Sequence, residues 1–436
     1  MQFQNSNYLR VRAKRLIPGG AHTFSKGDDQ FPELSPGFIV RGKGAKVWDP
    51  DGNEYIDWGM GLRSVILGHA FDPVLDTVKK HLEFGVNFTR PSLIEADVAE
   101  LMIDLIPSAE MVKFAKNGSD VTTAAVKLAR AYTGRDVVIR CLDHPFFSVD
   151  DWFIGDTVCN GGVPSATQEL TKHFRYNDLN DLLAVIEKYK GKVACVIMEV
   201  STTSRPVPGF LEGVRKITSQ HGVLLIFDEI ITGFRWSING AQTLYGVTPD
   251  LSTFGKAIAN GFSLGALVGK RDIMELGGLN HDKPRVFLLS TTNGGETHSL
   301  AAALETIQQL KNNNVTEHIW TIGHKLINGF NAITQEFNIH SYVRMEGEPC
   351  SPYQVFLNSE GNVDLSLRTL YLQEMIKYGV LIPYIAPSYS HGELEVEETL
   401  EASRKSMAVL QEAIEKRSTE GLLVGPPVKP VFRKFN

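Results

Sequence analysis

The chain is predicted to be an α/β protein with a large, mostly parallel sheet covered by helices on both faces. Three observations predict this: short apolar runs alternate with amphipathic helical stretches from residue 70 to residue 320, the apolar runs are continuous rather than alternating, and the connections carry helix caps and Gly or Pro stops. The first sixty residues hold Pro18-Gly19-Gly20, Pro36-Gly37 and Asp51-Gly52-Asn53 around short apolar segments, so strands and loops are expected there. Ser92-Leu93-Ile94-Glu95 is a capping-box sequence, and apolar residues at 94, 98, 101, 102 and 105 give a helix that Pro107 ends. Strands are expected at 112–115, 137–141, 194–198, 223–227 and 266–268, and helices at 120–133, 178–190 and 211–221, with a long loop after residue 141. Helices at 364–378, closing at Gly379, and 396–416 follow. Residues 70–320 are read as the large domain, and residues 1–69 with 321–436 as the two parts of a smaller one.

Composition narrows the classes of function. The 436 residues carry 43% apolar and 22% charged side chains and a net charge of -6 with both signs interspersed. This is ordinary globular usage, without the basic footprint that nucleic acid or anionic lipid requires. Cys141, Cys159, Cys195 and Cys350 are far apart and form no CxxC pair, so neither a zinc cluster nor a disulfide framework is expected, and a cytoplasmic setting fits. The N-terminal MQFQNSNYLRVRAKRL has no apolar stretch after its basic residues, and no apolar run approaches the ~18 residues of a membrane span.

Three places hold residue types that suggest chemistry. VLLIFDEIITGFR (223–235) is an apolar strand ending in adjacent carboxylates, with Asp228 and Ile230 on one face and Glu229 on the other. Ligands of open α/β sheets bind at the carboxyl ends of strands, where Asp228 falls, although an acid capping the next turn or paired with Arg235 would read the same way. Lys256 follows a short apolar strand in DLSTFGKAIANG and is set among small residues. In a dry site its amine would be neutral enough to attack an aldehyde, whereas a solvated side chain is the plainer alternative. Gly118 and Ser119 sit where a strand turns into a helix, placed either to hold a phosphate on free N–H groups or simply to cap the helix.

A ligand with an aldehyde, a phosphate and a group that needs a buried carboxylate satisfies all three places, and pyridoxal 5'-phosphate has these parts. The chain resembles the class III, or ω-type, pyridoxal-phosphate-dependent aminotransferases, and is most similar to their glutamate-1-semialdehyde aminomutase branch. The motifs carrying the resemblance are IPGGAH (17–22), RGKGAKVWDPDGNEYIDW (41–58), LGHAFDPV (67–74), NGSDVTTAAVKLARAYTGRD (117–136), FDEIITGFR (227–235), PDLSTFGKAIANG (249–261) and GALVGK (265–270). They run over nearly the whole chain in family order.

The resemblance implies a fold-type I transferase with a seven-stranded large domain. It makes Lys256 the residue that forms the internal aldimine and shuttles the α-proton, and Asp228 the partner of the pyridine nitrogen. It also places Ile230 against the ring, Gly118 and Ser119 on the phosphate, and Thr292 on the phosphate of a neighbouring subunit, so a homodimer with shared sites is implied. Glu199 occupies an acidic position beside the ring, with a structural hydrogen-bonding role as the alternative. The family's Tyr-His-Gly is absent from HPFFSVDDW (144–152), where Phe146 or Phe147 would supply the stacking face; Ser-Gly-Asn-Pro appears as GGET (294–297). Where the aminomutase branch has a tryptophan- and glycine-bearing stretch, this chain has Gly59-Met60-Gly61-Leu62-Arg63-Ser64. Arg63 there would fork an anionic substrate group, or pair with Asp57 or a neighbouring acid. The activity implied is ping-pong transfer of an amino group from an amino donor to a small carbonyl acceptor. A 2,1-aminomutase is the alternative, and a binding protein that has lost the chemistry is the reading from another class.

Overall fold

The computed structural model describes every residue except Thr202 and Asn436. The chain forms two compact units, one of Met1–Phe71 with Glu317–Arg433, the other of Asp72–Thr316 with the chain's last residues. In chain order the strands are β1 (Arg41–Lys43), β2 (Lys46–Trp48) and β3 (Glu54–Asp57). There follow β4 (Met111–Ala115), β5 (Val137–Cys141), β6 (Thr171–Phe174), β7 (Val193–Glu199), β8 (Leu224–Asp228), β9 (Leu251–Phe254) and β10 (Gly265–Gly269), then β11 (Val343–Glu346), β12 (Tyr353–Phe356) and β13 (Val380–Leu381).

The second unit is an α/β domain around a seven-stranded sheet of order β4-β10-β9-β8-β7-β5-β6. Strands β9, β8, β7, β5 and β6 run parallel, and β10 is antiparallel to both its neighbours, β4 and β9. Every residue of β7 and β8 is buried, which is why VACVIME and LLIFD are near-continuous apolar runs. Register then sets the functional end: Glu199 of β7 lies opposite Asp228 of β8, which lies opposite Thr253 of β9. The helix Gly118–Thr133 buries Val121, Ala124, Ala125, Leu128 and Ala129 and ends at Gly134 in the left-handed conformation that a glycine takes without penalty. The Ser92–Glu95 capping box is present, on a helix Leu93–Leu105.

The first unit pairs β1, β2 and β3 antiparallel, with β13 parallel to β3, and holds β11 against β12. Its core gathers Trp58, Leu326, Phe330, Tyr371, Met375, Met407 and Leu410 from the early strands and the later helices. Trp58 stacks on His391 at 4.1 Å and donates its indole N–H to Thr399 Oγ1 at 2.8 Å. No helix among the described residues is long and apolar enough to cross a membrane.

Two expectations are corrected. Residues Gln4–Leu16 form a helix where strands and loops were expected. Its first amides, Asn5 and Ser6, donate to the carboxylate of Asp51 at 2.7 and 2.8 Å, so the cap comes from a distant turn and leaves no local signature. The long loop after residue 141 contains strand β6, an edge strand with the half-polar sequence TKHF that pairs with β5.

The helix Val315–Glu336 runs against a loop before β12 so closely that a Cβ on Gly323 would lie 1.7 Å from the carbonyl oxygen of Pro349. Gly323→Ala should therefore destabilise the fold by roughly 1–3 kcal/mol or more, because backbone must shift. Chemical denaturation of the two proteins measures it, and equal midpoints would refute the close approach.

Candidate active site

Asp228 ends β8 and is 4% exposed. Its Oδ1 accepts the N–H of Ile230 at 3.0 Å and the hydroxyl of Thr253 at 3.1 Å. Among the described residues both bonds fall on this one oxygen, which leaves Oδ2 able to accept from a ligand. Burial pushes the carboxyl up to about 6, against the opposing pull of the Ile230 N–H, the Lys256 charge and the Thr253 hydroxyl. The strand alternation sends Glu229 the other way. Its carboxylate accepts from the backbone of Ala241 and Gln242, from the Gln242 amide and from Thr232, so both oxygens of Glu229 are spent on structure, whereas Asp228 caps the next turn through Oδ1 alone.

Lys256 stands two residues beyond β9 with φ of 43°, a left-handed conformation that costs a non-glycine residue free energy and marks a position fixed by its surroundings. It opens the short turn Lys256–Ala259, in which Ala257, Ile258 and Ala259 are buried while Lys256 keeps part of its surface open. Ile230 links this turn to the helix start. A Cβ on Gly118 would lie 2.6 Å from Ile230 Cδ1, and one on Gly255 would lie 3.4 Å from Ile230 Cγ2. Gly118 is bare because Ile230 occupies the space beside it.

At the helix Gly118–Thr133 the Asp120 carboxylate accepts the N–H groups of Lys116 and Asn117, at 3.3 and 2.9 Å. The Ser119 hydroxyl accepts the N–H of Val149 at 3.1 Å, and Thr122 donates to the carbonyl of Phe147 at 2.8 Å, which fastens the 144–150 loop onto the helix. Phe147 is 1% exposed, its ring set against His144, Trp152 and Phe153, whereas Phe146 is 44% exposed. Of the two, Phe146 keeps a ring face that a ligand can reach.

His144 escaped the sequence analysis. It is 1% exposed, accepts the N–H of Glu199 at Nδ1 at 3.0 Å, and so carries its proton on Nε2. Burial drives its pKa down to about 3, with Arg140 adding to the effect and Asp143 opposing it. The available signal was position: a histidine just past the carboxyl end of β5, the edge of the sheet where ligands bind. Glu199 is 3% exposed and shares its row with Asp228.

Thr292 lies on an exposed loop, its carbonyl accepting from the Asn87 amide at 2.9 Å. The same loop is moored by Glu296, which meets Lys116 at 2.6 Å; Lys116 immediately precedes Asn117-Gly118-Ser119. That ion pair was also missed, because its two residues are far apart in the chain. Arg63 belongs to the other unit, where its Nε donates to Ser351 Oγ at 3.1 Å. Asp57 is engaged by His69 at 2.8 Å and by the N–H groups of Gly59 and Met60, and the alternative pairing of Arg63 with Asp57 is not made.

Pyridoxal phosphate fits these residues. A helix start with a glycine beside an apolar wall would suit the phosphate and ring, Asp228 would suit a protonated ring nitrogen, and Lys256 would offer its amine to the aldehyde.

The buried neutral state of His144 predicts a pH signature. Between its folded pKa of about 3 and the ordinary value near 6.5, the unfolded chain binds a proton that the folded one does not, so stability falls as pH drops through this window. The slope contributed is about 1.4 kcal/mol per pH unit. His144→Gln should flatten the fall in unfolding free energy between pH 6 and pH 4; an unchanged slope would contradict the burial of a neutral imidazole.

Comparison with known proteins agrees with this geometry. The family model described as aminotransferase class-III matches residues 29–385. A 3-aminobutyryl-CoA aminotransferase from Cloacimonas acidaminovorans is 34% identical over 426 residues, covering 95% of this chain and 99% of the relative. A glutamate-1-semialdehyde 2,1-aminomutase 2 from Halalkalibacterium halodurans is also 34% identical, covering 94% and 99%. Among solved structures, the FumI protein of Sphingopyxis sp. MTA144 in its pyridoxal-phosphate internal aldimine form superposes with a TM-score of 0.86 at 26% identity, covering 94% of this chain and 97% of that one. The chain thus belongs to the class-III aminotransferase family, and it is a pyridoxal 5'-phosphate-dependent aminotransferase of fold type I.

Proposed function

We propose that the protein moves an amino group from an amino donor, an amino acid, to a small carbonyl acceptor in two ping-pong half-reactions centred on Asp228 and Lys256. The observation that carries this is the buried Asp228, with one oxygen spent on Ile230 and Thr253 and the other available, and with the charge of Lys256 acting on it. Bound pyridoxal phosphate supplies the electron sink that makes the substrate α-proton acidic. Asp228 holds the proton on the ring nitrogen by charge and hydrogen bond, and Lys256 anchors the cofactor and then carries the substrate proton on Nζ. Ile230 and Phe146 line the two ring faces, Phe147 anchors the loop by packing on His144, Trp152 and Phe153, Glu199 flanks the ring, and Gly118 and Ser119 hold the phosphate. Thr292 reaches the site of the partner in a homodimer, and Arg63 takes an anionic group of a substrate.

The second reading, a 2,1-aminomutase, is favoured by the identity to relatives of that name and opposed by the altered segments at 60–65 and 144–152. A mutase needs no external amino donor, so product formation from a single amino-aldehyde substrate with no donor added would overturn ping-pong transfer.

Lys256→Ala should abolish turnover in protein that still folds. Loss of acid–base catalysis alone is worth ~10²–10⁴-fold, and near-normal activity in the purified variant would remove Lys256 from the reaction. Asp228→Asn keeps the shape and removes the charge. It should retain cofactor yet slow the release of keto acid from the amino donor in a single turnover by on the order of 10²-fold or more. A wild-type single-turnover rate would show that Asp228 does not face the ring nitrogen.

A further inference from the structure

The first unit contains a cavity of about 330 Å³ lined by two arginines, Arg63 and Arg368, together with Gln354, Asp364 and Tyr384. Phe356 and Ile385, 3% and 2% exposed, supply apolar wall. We propose that this cavity binds the oxyanion of a small ligand, a carboxylate or phosphate carried on a short carbon skeleton, held jointly by Arg63 and Arg368.

Arg368 carries most of the case. Its Nη2 donates to the carbonyl of Pro383 at 3.1 Å, and among the described residues no carboxylate stands within ion-pair distance of it. Burial lowers its pKa from the usual value, yet a guanidinium stays charged in a protein, so a half-buried cation stands on the cavity wall with no carboxylate partner among the described residues. The acid on the same wall, Asp364, caps the helix Leu365–Lys377 by accepting the N–H of Leu367 at 2.9 Å.

Arg63 approaches the same wall from another segment. Its guanidinium carbon lies 5.7 Å over the Tyr384 ring, next to the Pro383 carbonyl that Arg368 binds. To put it there the backbone takes left-handed φ at three non-glycine residues, Met60 (42°), Leu62 (60°) and Arg63 (72°). Such a turn is strained and persists only where its surroundings hold it. Here Asp57 accepts from Gly59 and Met60, and Ser64 donates to the Gly61 carbonyl. Arg63 thus brings a second guanidinium to the cavity that Arg368 lines, and a guanidinium fork matches the geometry of a carboxylate or phosphate. This extends the role proposed for Arg63 and does not depend on the reaction at Asp228 and Lys256.

Calorimetric titration of the holoenzyme at low ionic strength with succinate, and separately with inorganic phosphate, tests it. The cofactor's own phosphate fills its cradle in the holoenzyme, so a signal from added phosphate does not arise there. Saturable binding of at least one probe, one per chain, is expected, and whichever binds identifies the ligand as carboxylate or phosphate. Arg368→Gln and Arg63→Gln should each weaken it by on the order of 10-fold or more, with Arg368→Lys intermediate and the cofactor absorbance spectrum unchanged. If Arg368→Gln fails to fold, Arg63→Gln and Arg368→Lys carry the comparison. Failure of both probes to bind the wild type, or wild-type affinity in either glutamine variant, overturns the proposal. Loss of transamination with probe binding intact would touch only the reaction proposed above.

Discussion

A carboxylate at the dry carboxyl end of a strand buried on both faces must be supported from every side, and the second unit is built around supporting Asp228. Transfer of an ionised carboxylate out of water costs several kcal/mol even after relaxation, and hydrogen bonds to the charged form return part of it. The neighbouring strand supplies Thr253 by register, the turn supplies the Ile230 N–H, and Lys256 supplies charge. With a carboxyl held up to about 6 the group is still mostly ionised near neutral pH, and a donor cation on its second oxygen would lower it further.

The same constraint explains the small residues. Ile230 follows Asp228 on its face, and its side chain reaches both Gly118 and Gly255, leaving no room for a side chain at Gly118 and packing at contact distance against Gly255. A helix N-terminus and the turn holding Lys256 are thereby brought to one isoleucine. The 144–150 loop is then tied down by Ser119 and Thr122, and the loop of Thr292 by Lys116 and Glu296. These ties converge on the start of one helix and the residue just before its cap, where free N–H groups carry partial positive charge.

Much of this was legible in the chain because it is local. Strand alternation separated Asp228 from Glu229, the capping box located Leu93–Leu105, and continuous apolar runs marked β7 and β8 as doubly covered. His144 offered only its position just past the end of β5, and the Lys116–Glu296 pair was not legible, since its residues are far apart in the chain. The helix Gln4–Leu16 was missed for a related reason: its cap, Asp51, comes from another turn. The choice between Phe146 and Phe147 was likewise closed to sequence, because adjacent phenylalanines differ only in what packs on them.

By itself, then, the sequence determined the α/β class, the order of most elements and the three motifs that hold Asp228, Lys256 and Gly118-Ser119, all of which follow from periodicity and local turn chemistry. Only the tertiary structure decided which atoms meet. Sheet register put Glu199, Asp228 and Thr253 in one row, side-chain volume put Ile230 over two glycines, and a strained turn aimed Arg63 away from Asp57 toward Tyr384. Register, volume and strain depend on residues far apart in the chain, and the free energy that selects among them is released only when those residues are packed together.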